Sequence, residues 1–137
     1  MEPRLSFVTL PVRDLDAARA FYVAGLGWTP ELDVPGEVVM IKVGEHLVLS
    51  LWDATAFEEE IGPIVRGEGV PQVGLAHNVA TREEVDAVLD EARALGAEVR
   101  GPQEREWGGY TGYFADPDGV HWEIAWNPGE IGQVVLP

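Results

Sequence analysis

The sequence contains no cysteine, which excludes disulfide bonds, thiolate metal sites and cysteine nucleophiles. It also has little positive charge, because 9 lysine and arginine residues stand against 24 aspartate and glutamate residues and give a formal net charge of −15. Such a chain repels phosphate backbones and anionic membrane surfaces at long range, so we expect neither nucleic acid nor a membrane as a partner. The acidic field favours neutral or cationic ligands, although acidity also serves solubility alone.

Long hydrophobic runs are missing as well. No apolar stretch approaches the roughly 20 residues that cross a bilayer, and the first residues show no secretion signal, so we expect a cytoplasmic protein. With 137 residues, 46% of them hydrophobic, the chain is long enough for one domain, which we predict over residues 1–137.

The first part of the chain, module one at about residues 4–53, alternates strand and helix signals. A strand ends near Val12, and Asp14 is a helix N-cap. The apolar stripe that follows ends at Gly25 to Gly27. Pro–Gly and Gly–Glu turn signals then separate three short strands, at about residues 28–34, 38–43 and 46–52.

The same order returns after a connector at about residues 54–71, where glutamates and glycines show no periodicity. In module two, at about residues 72–127, Thr81 and Glu84 form a capping box at the start of a strongly periodic helix. Strands are predicted before this helix and three times after it, with a tight turn at Asp116 to Gly119, and residues 128–137 form a C-terminal tail.

The two halves share a register. The strand residues Leu10 and His77 are 67 positions apart, as are the helix caps Asp14 and Thr81, which indicates a duplicated βαβββ unit. Gly44 and Gly119 each precede a final strand, and His46 and His121 are expected to be equivalent. His77 itself is predicted to be a core histidine beneath the second helix.

Three stretches carry a resemblance to a known family: Thr9-Leu10-Pro11-Val12-Arg13-Asp14-Leu15, then Ala20-Phe21-Tyr22 with Leu26-Gly27-Trp28, and Tyr113-Phe114-Ala115-Asp116-Pro117-Asp118-Gly119 with Trp122-Glu123. They resemble the vicinal-oxygen-chelate superfamily, which includes glyoxalases, bleomycin-resistance proteins and extradiol dioxygenases. The resemblance implies an α+β fold in which two tandem βαβββ modules form a curved mixed sheet cup with helices on the outer face. It also implies a homodimer.

Metal-dependent members of this family hold a divalent ion through four side chains. Matching the motifs puts Phe7, Val48, Gly74 and Glu123 at those positions. Only Glu123 is a metal ligand by type, and catalytic sites use about three protein ligands, so we expect no metal cofactor. An alternative site for Zn²⁺, Ni²⁺, Mn²⁺ or Fe²⁺ would combine Glu123 with His121 and His46, which strand alternation places on one face.

Polar and aromatic residues suggest an organic ligand instead. Glu123 is a candidate polar anchor, and aromatic rings offer stacking surfaces. The residues expected to bind the ligand are Phe7, Thr9, His46, Val48, Ser50, Trp52, Asn78, Trp107, Tyr110, Tyr113, His121 and Glu123. By contrast, Trp122 and Trp126 alternate to the other face and are expected to pack against helices.

We therefore expect a binding protein of the bleomycin-resistance type that sequesters an apolar or aromatic small molecule, such as an antibiotic, in a cup at the module or dimer interface. No catalytic residue is predicted. The alternative from a different class is a glyoxalase-type metalloenzyme, a lyase, isomerase, thiol transferase or dioxygenase, with a displaced metal site. Metal binding favours the enzyme, whereas a metal-free protein that binds small molecules favours sequestration.

Overall fold

A computed structural model describes all residues 1–137. The chain forms two compact units, Met1–Glu68 and Gly69–Pro137. In the first unit the elements are the strands β1 Phe7–Val12, β2 Pro30–Val34, β3 Val38–Gly44 and β4 Leu47–Asp53, with helix α1 Leu15–Arg19, its π-helical continuation Ala20–Gly25, and helix α2 Ala54–Glu60. In the second unit they are the strands β5 Gly74–Val79, β6 Val99–Glu104, β7 Tyr110–Ala115 and β8 His121–Trp126, with helices α3 Arg82–Ala94 and α4 Glu130–Val134.

Each unit contains one four-stranded mixed sheet. The strand order is β1-β4-β3-β2 in the first sheet and β5-β8-β7-β6 in the second. The pairs β1–β4 and β5–β8 are parallel. The identical order confirms the α+β fold and the duplicated βαβββ unit. The strands β1 and β5 start at Phe7 and Gly74, which are 74 − 7 = 67 positions apart, as the sequence predicted.

The helix caps form as predicted. The Asp14 carboxylate accepts a hydrogen bond from the Ala17 amide, 2.9 Å away. At α3 the capping box is complete, because Thr81 Oγ1 accepts from the Glu84 amide and the Glu84 carboxylate accepts from the Thr81 amide. These bonds satisfy amide groups that have no partner within the helix.

The core of each unit lies between one face of its sheet and the helices. In the first unit, Leu49 and Leu51 of β4 are buried, as are Ala18 of α1 and Tyr22 of its π-helical continuation. In the second unit, Val85, Leu89 and Ala92 of α3 are fully buried, which confirms these members of the predicted apolar stripe, whereas Leu95 at its end is exposed. Each fully buried leucine or valine contributes about 1.5–3 kcal/mol relative to an exposed one. No helix is both long and apolar enough to span a bilayer.

The structure contains two short helices that the sequence did not indicate. The predicted connector contains α2, whose first amides are capped by Asp53, and the C-terminal tail contains α4. Both helices are only one or two turns long, which is too short for an apolar repeat to be recognised.

The prediction for His77 was wrong, since its side chain is exposed. It lies on the same side of the sheet as the buried Ile124, its partner in β8. However, β5 is the edge strand of its sheet, where neighbours cover a side chain on one flank only.

Candidate functional site

The second sheet has two chemically different faces. On one face, Gly112, Phe114 and Ile124 pack under α3, so closely that a Cβ on Gly112 would lie 2.4 Å from Leu89 Cδ1. Side chains alternate along a strand, so the other face, which we call the open face, carries Tyr113 and Glu123, cross-strand neighbours in β7 and β8. Every residue of the candidate site described below belongs to the second unit.

A hydrogen bond joins the two central residues of the open face. The Tyr113 hydroxyl donates to Glu123 Oε1 over 2.8 Å. Partial burial, followed by this hydrogen bond to the carboxylate, raises the pKa of Tyr113 above its ordinary value of 10.0. At neutral pH the phenol therefore keeps its proton and holds Glu123 in one orientation. The small residue Ala76, the partner of Glu123 in β5, flanks the pair.

A cation lies beside this pair. Arg105 follows β6, and its Nε donates a 2.5 Å hydrogen bond to Oγ1 of the buried Thr111. Its guanidinium carbon lies 5.7 Å from the centre of the Tyr113 ring, a cation–π distance. The hydroxyl and the ring together fix the orientation of an otherwise flexible side chain.

An exposed tryptophan lies in the turn that begins at Arg105. A tight turn joins β6 to β7, closed by the Arg105 amide on the Gly109 carbonyl and the Gly108 amide on the Arg105 carbonyl. The Trp107 ring folds back over Gly109, and a Cβ on Gly109 would meet its ring atoms at 1.8 to 2.6 Å. Because Trp107 is still 55% exposed, it offers a ring surface just before the start of β7.

The remaining predicted residues of the second unit are divided between the faces. Asn78 and His121 lie at open-face positions, and the His121 Nδ1 is 3.0 Å from the Gly119 carbonyl oxygen. Tyr110 does not join them. It is on the α3 face, where its hydroxyl donates to Asp86 and the Arg82 guanidinium lies over its ring. Trp122 and Trp126 are on that face as predicted: Trp122 stacks on Phe114, and Arg82 lies 4.5 Å from the Trp126 ring centre.

The first unit holds the other predicted residues on the face of its sheet opposite α1. Phe7 pairs with Val48 and Thr9 with Ser50 across β1 and β4. Phe7 is 53% exposed, whereas Ser50 is buried. Trp52 continues this row, and the Phe57 ring of α2 packs edge-on against it with centroids 5.8 Å apart.

His46 is not on this face, and the predicted equivalence with His121 was wrong. The register of β3 and β4 shifts after Lys42 so that Gly44 pairs with Leu47, which leaves His46 in the turn. Its side chain is 83% exposed and lies 3.6 Å from Glu45. His121, in contrast, is the first residue of β8.

The side chains at the metal-ligand positions that the resemblance implies do not fit a metal ion. The registers put Ser50, not Val48, at the place in the first unit that Glu123 has in the second, because Thr9 pairs with Ser50 as Ala76 pairs with Glu123. Phe7 and Val48 have hydrocarbon side chains, Ser50 offers only a hydroxyl, Gly74 has no side chain, and Glu123 accepts a hydrogen bond from Tyr113. Nowhere in the chain do three His, Asp or Glu side chains come close enough together to hold one ion. The donor set for an ion held by three or four protein ligands is therefore not assembled.

Sequence reasoning missed Arg105 and Thr111. Thr111 had a usable signal, because it is two residues before Tyr113 in a strand and so shares its face. The same count puts Tyr110, three residues before Tyr113, on the opposite face. Arg105 follows a strand end, where alternation no longer predicts direction.

Comparisons with known proteins agree with this architecture. The family profile described as the Glyoxalase/Bleomycin resistance protein/Dioxygenase superfamily matches residues 4–124. A solved glyoxalase-related enzyme from Fulvimarina pelagi is 34% identical, with a TM-score of 0.83 over 93% of this chain and 90% of that one. No curated protein matches the sequence.

Two further solved structures are similar at lower identity. A lactoylglutathione lyase from Agrobacterium tumefaciens is 28% identical with a TM-score of 0.72, covering 93% of this chain and 96% of that one. A glyoxalase/bleomycin resistance protein/dioxygenase from Nocardioides is also 28% identical, with a TM-score of 0.78 over 95% of this chain and 90% of that one.

Proposed function

This chain belongs to the glyoxalase/bleomycin resistance protein/dioxygenase superfamily, and we propose that it is a member that binds a small organic molecule without a metal ion. The observation that carries the proposal is the state of Glu123. It is the one carboxylate at the family's ligand positions, and its partner is the Tyr113 hydroxyl rather than further metal-ligating side chains.

The surroundings of Glu123 suit an organic ligand. The Tyr113 ring adjoins the carboxylate and the small residue Ala76 flanks it, while the exposed Trp107 ring lies in the turn before β7. Stacking on such rings contributes about 0.5–1.5 kcal/mol for each pair beyond the area buried. A planar aromatic molecule, including an antibiotic of that kind, is therefore the class of ligand that we propose for sequestration.

Two measurements test this proposal together. Elemental analysis of the purified, tag-free protein measures bound metal, and titration of planar aromatic compounds in metal-free buffer follows intrinsic tryptophan fluorescence. We expect negligible metal and saturable binding. Trp107→Ala is expected to weaken binding by up to about tenfold, the loss of one stacking contact. Leu95→Ala, at an exposed site beyond the end of α3, is the control and is expected to bind normally.

A metalloenzyme is the second candidate function, and the similarity to a glyoxalase-related enzyme favours it. In that case the protein would retain a near-stoichiometric divalent ion, and Glu123→Gln would release it. Bound metal that survives dialysis, with micromolar affinity on re-addition, would overturn the metal-free proposal and support the enzyme. Such an ion would need ligands beyond those that the structure brings together.

A further inference from the structure

Arg105 differs from most arginines of this chain in how it is held. Six arginines of this chain lie within ion-pair distance of a carboxylate: Arg4, Arg19, Arg66, Arg82, Arg93 and Arg100. Arg105 has no such carboxylate, although the chain has 24 acidic residues. Its contacts are the Thr111 hydroxyl at Nε and the face of the Tyr113 ring.

This arrangement leaves the two terminal nitrogens of Arg105 without a protein acceptor, on a side chain that is already oriented. A guanidinium presents paired N–H donors in a planar fork that matches a carboxylate. Orienting the fork in advance reduces the conformational entropy lost when a ligand binds. The adjacent Tyr113 ring provides apolar surface that an aromatic acid would need, and the exposed Trp107 ring lies two residues further along the same turn.

We propose that Arg105 is a specificity-determining residue that binds a carboxylate group on the ligand. The inference rests on the proposed small-molecule function and names its substrate class: planar aromatic or conjugated carboxylic acids. This ligand class is the opposite of the one expected from net charge. The overall acidity of the chain favours neutral or cationic ligands, whereas the oriented Arg105 guanidinium beside the Tyr113 ring favours an anion. Glu123, held by Tyr113, repels a second acidic group and so favours monocarboxylates.

The test compares matched probes on the full chain in metal-free buffer at neutral pH. Benzoate, naphthoate and quinoline carboxylate are each titrated beside the corresponding carboxamide and the corresponding trimethylammonium compound, by calorimetry. We expect carboxylates to bind most tightly. Arg105→Gln should weaken carboxylate binding by about tenfold to a hundredfold, the loss of a charge-assisted hydrogen-bonded pair, and leave carboxamide binding unchanged.

Three variants complete the experiment. Arg105→Lys keeps the charge without the fork and should recover part of the affinity. Thr111→Val removes the hydroxyl that orients Arg105 at nearly constant volume, and should weaken carboxylate binding less than Arg105→Gln does. Arg4→Gln removes an exposed arginine that is paired with Glu2 and should change nothing. Circular dichroism checks that each variant is folded.

The outcomes separate the two proposals. Equal affinity for carboxylate and carboxamide, tighter binding of the ammonium compounds, or unchanged carboxylate affinity in Arg105→Gln would overturn the role of Arg105 and leave metal-free ligand binding standing. Binding of none of the probes, or binding only after a divalent metal is added, would overturn both.

Discussion

The close approach of α3 to β7 at Gly112 gives the most direct prediction about the fold. A methyl group added by Gly112→Ala would lie 2.4 Å from Leu89 Cδ1, 3.0 Å from the Arg100 carbonyl oxygen and 3.3 Å from Pro102 Cα. Two of these neighbours are backbone atoms of β6, so Leu89 must move. It is fully buried, and side chains in a close-packed interior move only at the expense of their neighbours.

Overpacking of this kind costs about 1–3 kcal/mol in the free energy of unfolding. For a chain of this length that corresponds to a melting temperature lower by about 3–10 °C. The matched control is Gly74→Ala in the same sheet, where a Cβ would have no neighbour within 4 Å. Its melting temperature should stay within about 2 °C of the parent, as for other unstrained surface substitutions.

A double-mutant cycle monitored by urea unfolding identifies the cause. Leu89→Ala alone should cost about 2–5 kcal/mol through the void it leaves. In that background the methyl of Gly112→Ala occupies vacated space, so its cost should fall by at least about 0.5 kcal/mol. An equal cost in both backgrounds, or a cost no larger than that of Gly74→Ala, would refute the packing argument.

Three other predictions concern the site and its supports. Gly109→Ala displaces the Trp107 ring and should lower the affinity for aromatic ligands by up to about tenfold, with little change in melting temperature. A binding isotherm identical to that of the parent would contradict this. The pKa of Tyr113 in the folded protein is raised above 10.0. The protonated phenol therefore stabilises the folded state fully below the unfolded-state pKa, and this contribution is lost as pH rises through the folded-state pKa. Urea unfolding at a series of alkaline pH values should show a smaller loss of stability for Tyr113→Phe than for the parent. Thr81→Ala removes a cap of α3 and should cost about 1 kcal/mol; an unchanged urea midpoint would show that water replaces the hydroxyl.

The fold was predictable because its signals repeat along the chain. The 67-residue spacing of β1 and β5, the capping box at Thr81 and the α3 stripe each depend on residues close in sequence, and all three appear in the structure. The short helices α2 and α4 gave no periodic signal. The one-residue shift between β3 and β4 moved His46 into a turn, an outcome that alternation alone does not predict.

The candidate site was predictable only in part. Strand alternation correctly separates Glu123 from Trp122 and Trp126, and the same count separates Tyr110 from Tyr113. Arg105 gave no signal, because its importance depends on Thr111 and Tyr113, which β7 brings beside it after a turn. A residue whose role comes from tertiary neighbours in a loop has no periodic pattern that marks it.

The central claim is that this protein binds an organic ligand without a metal ion. The most direct test is calorimetric titration of naphthoate into protein whose metal content has been measured as negligible, in buffer passed over chelating resin. We expect saturable binding whose affinity is unchanged when Zn²⁺, Ni²⁺ or Mn²⁺ is added. Binding that appears only with one of these ions, together with micromolar affinity for the ion itself, would contradict it.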